Sequence, residues 1–456
     1  MPGLAGDDAK AGLPPRWVAG TPPPEIATTI REDVLASIFL GYHGTSDARY
    51  LEHARCSYRG PLRQLPLGGG RPIRAPPNAG GERMRVLTVN AGSSSLRLGL
   101  CEGDGAVIRR IAEVKYEGTQ IVVAWLESFL AQAPSEVDAV AHRVVHGGEH
   151  MTSSRLIDAG VEGEIERLAP LAPLHNPPAL QWIRACRRVL GDRVPQVAVF
   201  DTAFYCHLPA VARAYALPLE TCRELGIRRY GFHGIAHQAM WRRWRQLRPD
   251  LEDGGRVISL QLGAGCSATA IARGGPLDTS MGFSPLEGLV MATRPGDVDP
   301  GAMVYLQRAL GWGPNELDDL LNNHSGLLGL SGLSGDMRVL LSSDSPEARL
   351  AVELYCYRAR KYVGAYMAVL AGADGILFGG GVGEHAPQVR QAILRDMEWC
   401  GIALDPEANA AATSGEHRIS LADSLDVWVV PVDEAAVLAE EAIRVVSKIG
   451  DEGGQM

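Results

Sequence analysis

The sequence lacks paired cysteines, a long apolar run and an excess of basic residues. Its eight cysteines, from Cys56 to Cys400, include no C-x-x-C pair and no zinc-binding spacing. Such cysteines are typical of reduced thiols in a reducing compartment. No apolar run approaches the roughly 18 residues that a membrane span needs, and the N-terminus has no apolar core of a secretory signal. We therefore expect a cytoplasmic protein without a membrane partner.

The charge balance argues against another class of partner. The formal net charge is −9, whereas proteins that bind nucleic acids usually carry a basic stripe. A negative protein can still bind an anionic substrate through a local cluster of arginines. The chain has 456 residues, of which 46% are hydrophobic, which is enough for two domains with sizeable cores.

Residues 1–83 differ from the rest of the chain. They contain eleven of the 29 prolines, together with a run of three glycines at 68–70. We expect a disordered extension with one local helical stretch around Glu25 to Phe39. At Met84 the pattern changes abruptly to that of a buried strand. One hypothesis is that translation starts at Met84; a native protein whose N-terminal mass includes residues 1–83 would contradict it.

From Met84 onward, short apolar strands alternate with helical stretches, which is typical of an α/β fold. The strand-like runs include Val86–Val89, Ala139–Val145, Val197–Phe200, Val257–Leu262, Gly375–Phe378 and Val427–Val430. The helical stretches include Pro178–Leu190, His237–Leu247, Met303–Leu310, Pro346–Leu370, Val389–Trp399 and Glu434–Ser447. Residues 86–95 and 257–267 both read as strand, glycine-containing turn and strand. This repeat predicts two homologous domains, each presenting a hairpin turn to a shared cleft.

Several segments place charged or polar side chains beside glycine-rich turns. Arg143 ends a strand before paired glycines, Asp201 closes another strand, and His233 is flanked by glycines in a loop. Arg294 lies in a loop of turn-forming residues, and the glycine run that begins at Gly379 ends a further strand. A guanidinium at such a place can bind a carboxylate or a phosphate. Taken singly, each segment also fits a surface ion pair, a helix cap or an ordinary loop.

Taken together and in this order, the segments resemble the acetate kinase family, within the superfamily of acetate and sugar kinases, heat-shock-70 proteins and actin. The resemblance extends over residues 84–447. It implies an α/β fold of two duplicated actin-like (ribonuclease-H-like) domains with a nucleotide cleft between them. We assign residues 84–202 plus 435–450 to the N-terminal domain and residues 203–434 to the C-terminal, nucleotide-binding domain.

The resemblance also implies a role for particular residues. The catalytic set is Asp201, His233 and Arg294, and Arg143 and His175 bind the substrate beside an apolar pocket of Val145, Leu174, Phe232 and Pro285. Asn90 and Glu434 match the positions that hold Mg²⁺, for which Mn²⁺ is an alternative. The residues that match positions contacting ATP or ADP are Ser93, Ser95, Arg97, Gln261, Leu262, Gly263, Ala264, Gly265, Asp336, Met337, Arg338, Gly381, Val382, Gly383, Glu384 and His385.

The sequence departs from the family pattern mainly around the nucleotide phosphates. Gln261 and Ala264 replace a histidine and an asparagine, Arg97 replaces a lysine, Tyr205 replaces a histidine, and His385 replaces an asparagine. Ile235 and Ala236 replace two hydroxyl residues. We therefore expect altered nucleotide handling or a changed phosphoryl donor.

The resemblance predicts a homodimeric acetate kinase that transfers the ATP γ-phosphoryl group to acetate, with propionate or butyrate as alternative acids. We expect direct in-line transfer without a phosphoenzyme, because phosphoryl transfer needs positioning and charge neutralisation more than covalent help. A carboxylate nucleophile is already ionised at pH 7, so Asp201 is expected to organise the metal or an arginine rather than act as a base. Two other functions stay open. One is a sugar kinase or chaperone-type ATPase, and the other is a catalytically weak paralogue that only binds nucleotides or acyl phosphates.

Overall fold

The computed structural model describes residues 83–453, apart from 93–94, 106, 119–121 and 134–135. The predicted extension up to residue 82, with its helical stretch, lies outside the described residues, as does Ser93. The described residues belong to one compact unit. None of the described helices is long and apolar enough to cross a membrane.

Two six-stranded sheets form the framework, and they share one plan. The first sheet has the order β3-β2-β1-β4-β6-β5, and the second has the order β11-β12-β10-β7-β8-β9. The strands of the first sheet are β1 (Met84–Ala91), β2 (Ser95–Gly103), β3 (Ile108–Glu117), β4 (Ala139–Val144), β5 (Arg155–Leu156) and β6 (Gln196–Phe200). The strands of the second are β7 (Val257–Leu262), β8 (Cys266–Ala272), β9 (Gly275–Thr279), β10 (Gly375–Gly379), β11 (His417–Arg418) and β12 (Asp426–Val429).

The strand pairings confirm the predicted repeat. In the first sheet β1 forms an antiparallel hairpin with β2 and runs parallel to β4, which runs parallel to β6. In the second sheet β7 forms the same hairpin with β8 and runs parallel to β10, which runs parallel to β12. Each sheet also carries a two-residue antiparallel strand next to its last parallel strand. The two hairpin turns therefore occupy equivalent places, as in two duplicated actin-like domains.

The parallel strands are apolar because helices cover both of their faces. In β6 and β10 every residue is buried, as expected for parallel strands packed on two sides. The helices are α1 (Val123–Gln132), α2 (Ala159–Arg167), α3 (Asn176–Leu190), α4 (Ala210–Arg213), α5 (Leu219–Leu225), α6 (Gly234–Leu247), α7 (Pro300–Leu310), α8 (Pro314–Asn323), α9 (Gly326–Ser331), α10 (Met337–Leu341), α11 (Pro346–Val369), α12 (Gly380–His385), α13 (Pro387–Leu394), α14 (Pro406–Ala411) and α15 (Glu434–Gly453).

The C-terminal helix α15 packs against the first sheet, although it follows the second sheet in the chain. Its Val437 and Leu438 belong to the same apolar cluster as Met84 and Val86 of β1. This packing supports the assignment of residues 435–450 to the N-terminal domain. The domain limits themselves stay a prediction.

One sequence expectation needs correction. The helix expected over Val389–Trp399 is α13, which ends at Leu394; Asp396 has a φ of 61°, which no α-helix accommodates. A separate 3-10 turn forms at Glu398–Cys400. A further short helix, α12 (Gly380–His385), forms within the glycine run before Pro387. Gly380 has a φ of 75°, and this left-handed turn lets the helix start directly after β10.

Candidate active site

Four side chains from distant parts of the chain form a buried polar cluster. Arg143 donates from Nε and Nη2 to Oδ2 of Asp201, at 3.0 and 2.6 Å. Its Nη1 donates to Oδ1 of Asn90 at 3.1 Å and lies 4.0 Å from Oε1 of Glu434. Asn90 in turn donates to Oε2 of Glu434 at 2.7 Å. We call these four residues the acid–arginine cluster.

The parallel strands explain how this cluster assembles. Asn90, Arg143 and Asp201 lie near or just beyond the carboxyl ends of β1, β4 and β6, which are neighbours in the first sheet. The carboxyl ends of parallel strands meet at one edge of a sheet, where ligands usually bind. Glu434 joins them because it begins α15, which packs on the same sheet.

Burial and charge act in opposite directions within the cluster. Burial raises the pKa of Asp201 above its usual value, and the charge of Arg143 counteracts that effect. Burial disfavours the charge of Arg143, but Asp201 and Glu434 raise its pKa above the usual range. Asp201 is fully buried, and its Oδ1 has no hydrogen-bond partner among the described residues. One carboxylate oxygen therefore accepts both hydrogen bonds from Arg143, and the backbone N–H of Ile235 also acts to lower the pKa of Asp201.

The oxygen atoms of this cluster suit a divalent cation such as Mg²⁺. Mg²⁺ is usually bound by one or two carboxylates, with water and substrate phosphates completing its shell. Glu434 and Asn90 offer oxygens at the edge of a small cavity of about 20 Å³, which Arg97 also lines. In the described part of the chain, no group of three histidine, cysteine or acidic side chains forms a complete metal site. The residues present therefore fit a metal that is bound together with a phosphate ligand.

A second group of side chains centres on Gly265, in the β7–β8 turn. An ideal Cβ on Gly265 would lie 2.7 Å from Nη2 of Arg294 and 3.1 Å from Nε2 of His233. The guanidinium of Arg294 is further held by a 2.8 Å hydrogen bond to the carbonyl oxygen of Pro285. His233 has a φ of 56° and immediately precedes α6. Glycine at 265 thus leaves room for both side chains in front of the turn.

The two histidines of the site are neutral at pH 7. Burial, followed by the charges of Arg143 and Arg294, lowers the pKa of His175 to about 3. Burial also lowers the pKa of His233 well below its usual value, and Arg143, His237, Arg294 and His175 act in the same direction. Both arginines therefore lie within electrostatic reach of both histidines. Burial lowers the pKa of Arg294 itself.

The four predicted apolar residues do not have the same environment. Val145 and Phe232 are buried members of one apolar cluster. Leu174 is 46% exposed, next to His175 at the start of α3. Pro285 is partly buried and contacts Arg294 through its carbonyl oxygen. Val145 and Phe232 are therefore buried, whereas Leu174 is open to solvent.

The predicted nucleotide-loop residues at the end of β7 lie against the glycine run after β10. An ideal Cβ on Gly380 would lie 2.6 Å from the carbonyl oxygen of Leu262 and 2.9 Å from Nε2 of Gln261. Oε1 of Gln261 is buried without a partner among the described residues. The backbone of Gly263 donates to the carbonyl oxygen of Gly265, which closes the turn. The two predicted phosphate-binding segments of the second sheet are therefore adjacent.

Residues of the glycine run have distinct roles. Gly381 and Val382 lie in α12, and Gly383 is a buried part of it. Oε1 of Glu384 accepts hydrogen bonds from the backbone of Gly380 and of Val432, at 3.0 and 3.2 Å. Nδ1 of His385 lies 2.6 Å from the carbonyl oxygen of Thr413. Glu384 thus ties the glycine run to the segment that leads to Glu434.

The predicted adenosine segment has two side chains at the surface and one buried in the core. Asp336 caps α10 and pairs with Arg338 at 2.6 Å, and both side chains are at the surface. Met337 is buried in the main apolar cluster of the second sheet, so its side chain faces away from solvent. Ala292 donates to the carbonyl oxygen of Ala264, and an ideal Cβ on Gly335 would lie 2.9 Å from the oxygen of Ala292. The segment is therefore packed beside the β7–β8 turn.

The β1–β2 turn is described only in part. Ser95 begins β2, and its carbonyl oxygen accepts from the backbone of Gly92 at 2.8 Å. Arg97 is exposed on β2, opposite Asn90 in the antiparallel register. Ser93 lies outside the described residues, so its predicted contact with phosphate stays a prediction.

Sequence reasoning missed several residues that hold the site in place. Asn176 accepts from the backbone of His146 and donates to its carbonyl oxygen, which ties α3 to the strand end that carries Arg143. Arg229 donates to the carbonyl oxygens of residues 279–281 and to Glu287. Ser267 contacts the rings of two histidines. Of these residues, only Asn176 had a signal in the sequence, because it directly follows His175 in the same motif.

Comparison with known proteins gives one consistent result. The family model described as the acetokinase family matches residues 108–440. An acetate kinase of Chloroherpeton thalassium is 46% identical over 356 residues, which cover 75% of this chain and 85% of the relative. The solved acetate kinase of Porphyromonas gingivalis has a TM-score of 0.70 and 36% identity, covering 80% of this chain and 100% of that chain. A solved propionate kinase of Francisella tularensis has a TM-score of 0.72 and 32% identity, covering 79% and 100%.

Proposed function

The chain belongs to the acetokinase family, phosphotransferases with a carboxyl group as acceptor, and we propose that it transfers the γ-phosphoryl group of ATP to acetate. The reaction is reversible and gives acetyl phosphate and ADP. The observation that carries the proposal is that Nη2 of Arg294 and Nε2 of His233 border one space in front of Gly265, while the charges of Arg143 and Arg294 both act to lower the pKa of His233. Two cations and a neutral imidazole suit the three equatorial oxygens of a phosphoryl group in transit.

The contacts of Asp201 support a positioning role for its carboxylate. Both of its hydrogen bonds to Arg143 use one oxygen, so the carboxylate fixes the plane of the guanidinium. An acid nucleophile with a pKa near 4 to 5 is ionised at neutral pH and needs no general base. We therefore propose direct in-line transfer to the carboxylate oxygen. Retention of configuration at a chiral γ-phosphate would contradict this proposal.

Mg²⁺ is the metal that Glu434 and Asn90 would hold in this proposal, with Mn²⁺ as a substitute. When bound, the ion would neutralise charge on the outer phosphates of the nucleotide. The hydrogen bond from Asn90 to Glu434 keeps the two side chains oriented towards each other. Arg143, 4.0 Å from Glu434, prevents an excess of negative charge at the site.

The burial of Val145 and Phe232 in one apolar cluster supports a small acid as substrate. We propose acetate as the preferred acid and expect propionate to be tolerated, because one methylene in an apolar pocket changes binding by only about 1–3 kcal/mol. The similarity to both an acetate kinase and a propionate kinase agrees with this breadth.

The phosphoryl donor needs its own test, because Gln261 and Ala264 depart from the family pattern in the second predicted phosphate loop. Oε1 of Gln261 is buried and has no partner among the described residues. We therefore expect Gln261 to contact the phosphoryl donor in a different way from a histidine. A hydroxamate assay with acetate, propionate and butyrate, each with ATP or pyrophosphate, tests the proposal. Acetyl hydroxamate formed with ATP and Mg²⁺ is expected. Product only with pyrophosphate would identify a changed donor, and no product with tight nucleotide binding would identify a weak paralogue.

We also propose a cytoplasmic location and a homodimeric assembly. The seven cysteines in the described part of the chain are all free, as expected in a reducing compartment. The homodimer follows from the family resemblance. Light scattering of the purified protein tests it directly through the solution mass.

A further inference from the structure

A line of buried polar side chains leads from His233 away from the acid–arginine cluster. Nδ1 of His233 lies 2.9 Å from Oγ of Ser267, and the same Oγ lies 2.8 Å from Nε2 of His237. Nδ1 of His237 lies 2.8 Å from Oγ of Ser259. Ser259, Ser267 and His237 are completely buried. We call these four residues the serine–histidine relay.

The β7–β8 hairpin and α6 create the relay together. Ser259 pairs with Thr269 and Gln261 pairs with Ser267 across the antiparallel hairpin, so both serines face the same side of the sheet. Helix α6 lies against that side, with His237 in its first turn and His233 just before it. The relay therefore combines two serines of the β7–β8 hairpin with two histidines at the N-terminal end of α6.

The number of protons in the relay limits how it can be arranged. A neutral imidazole has one N–H group and one accepting nitrogen, and each serine hydroxyl has one proton to donate. Burial lowers the pKa of His237 to about 3, so this ring is neutral at pH 7, as is His233. With both rings neutral, the three hydrogen bonds and a partner for the proton of Ser267 are obtained together only if the bonds run in one direction along the relay. If Ser267 accepted from both rings, its own proton would have no acceptor among the described residues.

Two directions are available, and they differ in the proton that faces the active site. In the first, Ser259 donates to His237, His237 to Ser267, and Ser267 to Nδ1 of His233. This direction leaves the proton of His233 on Nε2. In the second, every donor becomes an acceptor, and Nε2 of His233 presents a lone pair. The hydroxyl of Ser259 is then left with Sδ of Met240, a weak acceptor at 3.8 Å.

We propose that Ser267 and His237 are positioning residues that hold His233 in the neutral form with its proton on Nε2 while a phosphoryl group is bound. Nε2 of His233 and Nη2 of Arg294 border the same space in front of Gly265. A phosphoryl oxygen only accepts hydrogen bonds, so an N–H group stabilises it and a lone pair repels it. This inference rests on the proposed function, because the accepting oxygen belongs to the transferred group.

Removal of the hydroxyl of Ser267 tests the relay through kinetics. In Ser267→Ala, Nδ1 of His233 loses its donor, and we expect kcat to fall about 10- to 100-fold. The KM values for acetate and ATP should change by less than about threefold, since the effect belongs to the transition state. Ser267→Thr restores a hydroxyl on a strand that suits β-branched residues and should recover most of kcat. Ser420→Ala, which removes a buried hydroxyl bonded to the backbone of Val427, is the matched control and should keep wild-type kcat.

A second variant separates the relay from a merely structural effect. His237→Phe leaves the hydroxyl of Ser267 able to donate to His233, so its loss of kcat should be smaller than that of Ser267→Ala. The double variant should be no slower than Ser267→Ala, because both changes act through one hydrogen bond to Nδ1. Additive losses would overturn the relay as a single unit.

The tautomer is also measurable directly, without activity as the readout. Histidine-labelled protein with Mg²⁺, ADP, acetate and aluminium fluoride is expected to show, by ¹⁵N NMR, a neutral His233 protonated on Nε2. The His233→Asn variant identifies its signals. Protonation on Nδ1, a charged ring, or wild-type kcat in Ser267→Ala would each overturn the inference. Failure of the proposed function is distinguishable, because the wild-type enzyme would then form no acetyl hydroxamate.

Discussion

Asp201→Asn is the substitution for which the structure gives the sharpest expectation. The carboxylate is fully buried, and Arg143 directs two N–H groups at one of its oxygens, at 3.0 and 2.6 Å. Asparagine has nearly the same volume and keeps one accepting oxygen, but it leaves the guanidinium with only Glu434, 4.0 Å away, as a counter-charge. The change therefore tests the charge of Asp201 with little effect on packing.

The expected magnitude follows from the cost of an unpaired buried charge. Removal of one partner of a buried ion pair costs about 3–5 kcal/mol. The amide oxygen still accepts a hydrogen bond from Arg143, which returns about 1 kcal/mol. We expect the free energy of unfolding to fall by about 3 kcal/mol. If the same energy is lost from the transition state, kcat/KM for acetate falls about 100-fold.

Urea unfolding and the hydroxamate assay, with Mg²⁺ varied, measure both effects. If Asp201 acts through Arg143, the Mg²⁺ concentration for half-maximal activity stays unchanged and the loss is the same at every pH. Recovery of activity at high Mg²⁺ would refute the positioning role and make Asp201 a metal ligand. The matched control is Asp426→Asn, which breaks the 2.9 Å pair with Arg418 at the far edge of the second sheet. It should lower stability without changing kcat/KM.

Three further predictions concern the phosphate loop and acid stability. Gly265→Ala should lower kcat at least tenfold, because a Cβ 2.7 Å from Nη2 of Arg294 displaces that side chain. Its free energy of unfolding should fall by less than about 1 kcal/mol. An unchanged kcat would contradict the close approach of Arg294 to Gly265. Ala264→Asn should lower the KM for ATP, since residue 264 is exposed and has room for an amide; an unchanged KM would show that the loop tolerates alanine. Burial lowers the pKa of His142 and His146 to about 4, so the unfolded chain binds protons first as the pH falls below 6.5. Urea unfolding at pH 5 should therefore show about 2 kcal/mol less stability per histidine than at pH 7, and equal stability would refute their burial as neutral groups.

The six strands with parallel partners and the longest helices were predictable because their signals are local. Gly375–Phe378 lies within β10, and the stretch Pro346–Leu370 coincides with α11 almost to the residue. Ser345 caps α11 and Pro346 occupies its first position, so the sequence itself marks that boundary. The end of α13 was missed, since an aspartate at positive φ leaves no clear signal in the sequence.

The sequence by itself determined the duplicated α/β plan and the order of the polar segments along the chain, because hydrophobic period and turn residues act over a few residues. Only the tertiary structure decided which of those segments meet. Asn90 contacts Glu434 across 344 residues, and Arg143 contacts Asp201 across 58. The same packing sends Met337 into the core and sets Ser267 between two histidines. Such contacts depend on how parallel strands and the final helix pack together, and no local pattern encodes that arrangement.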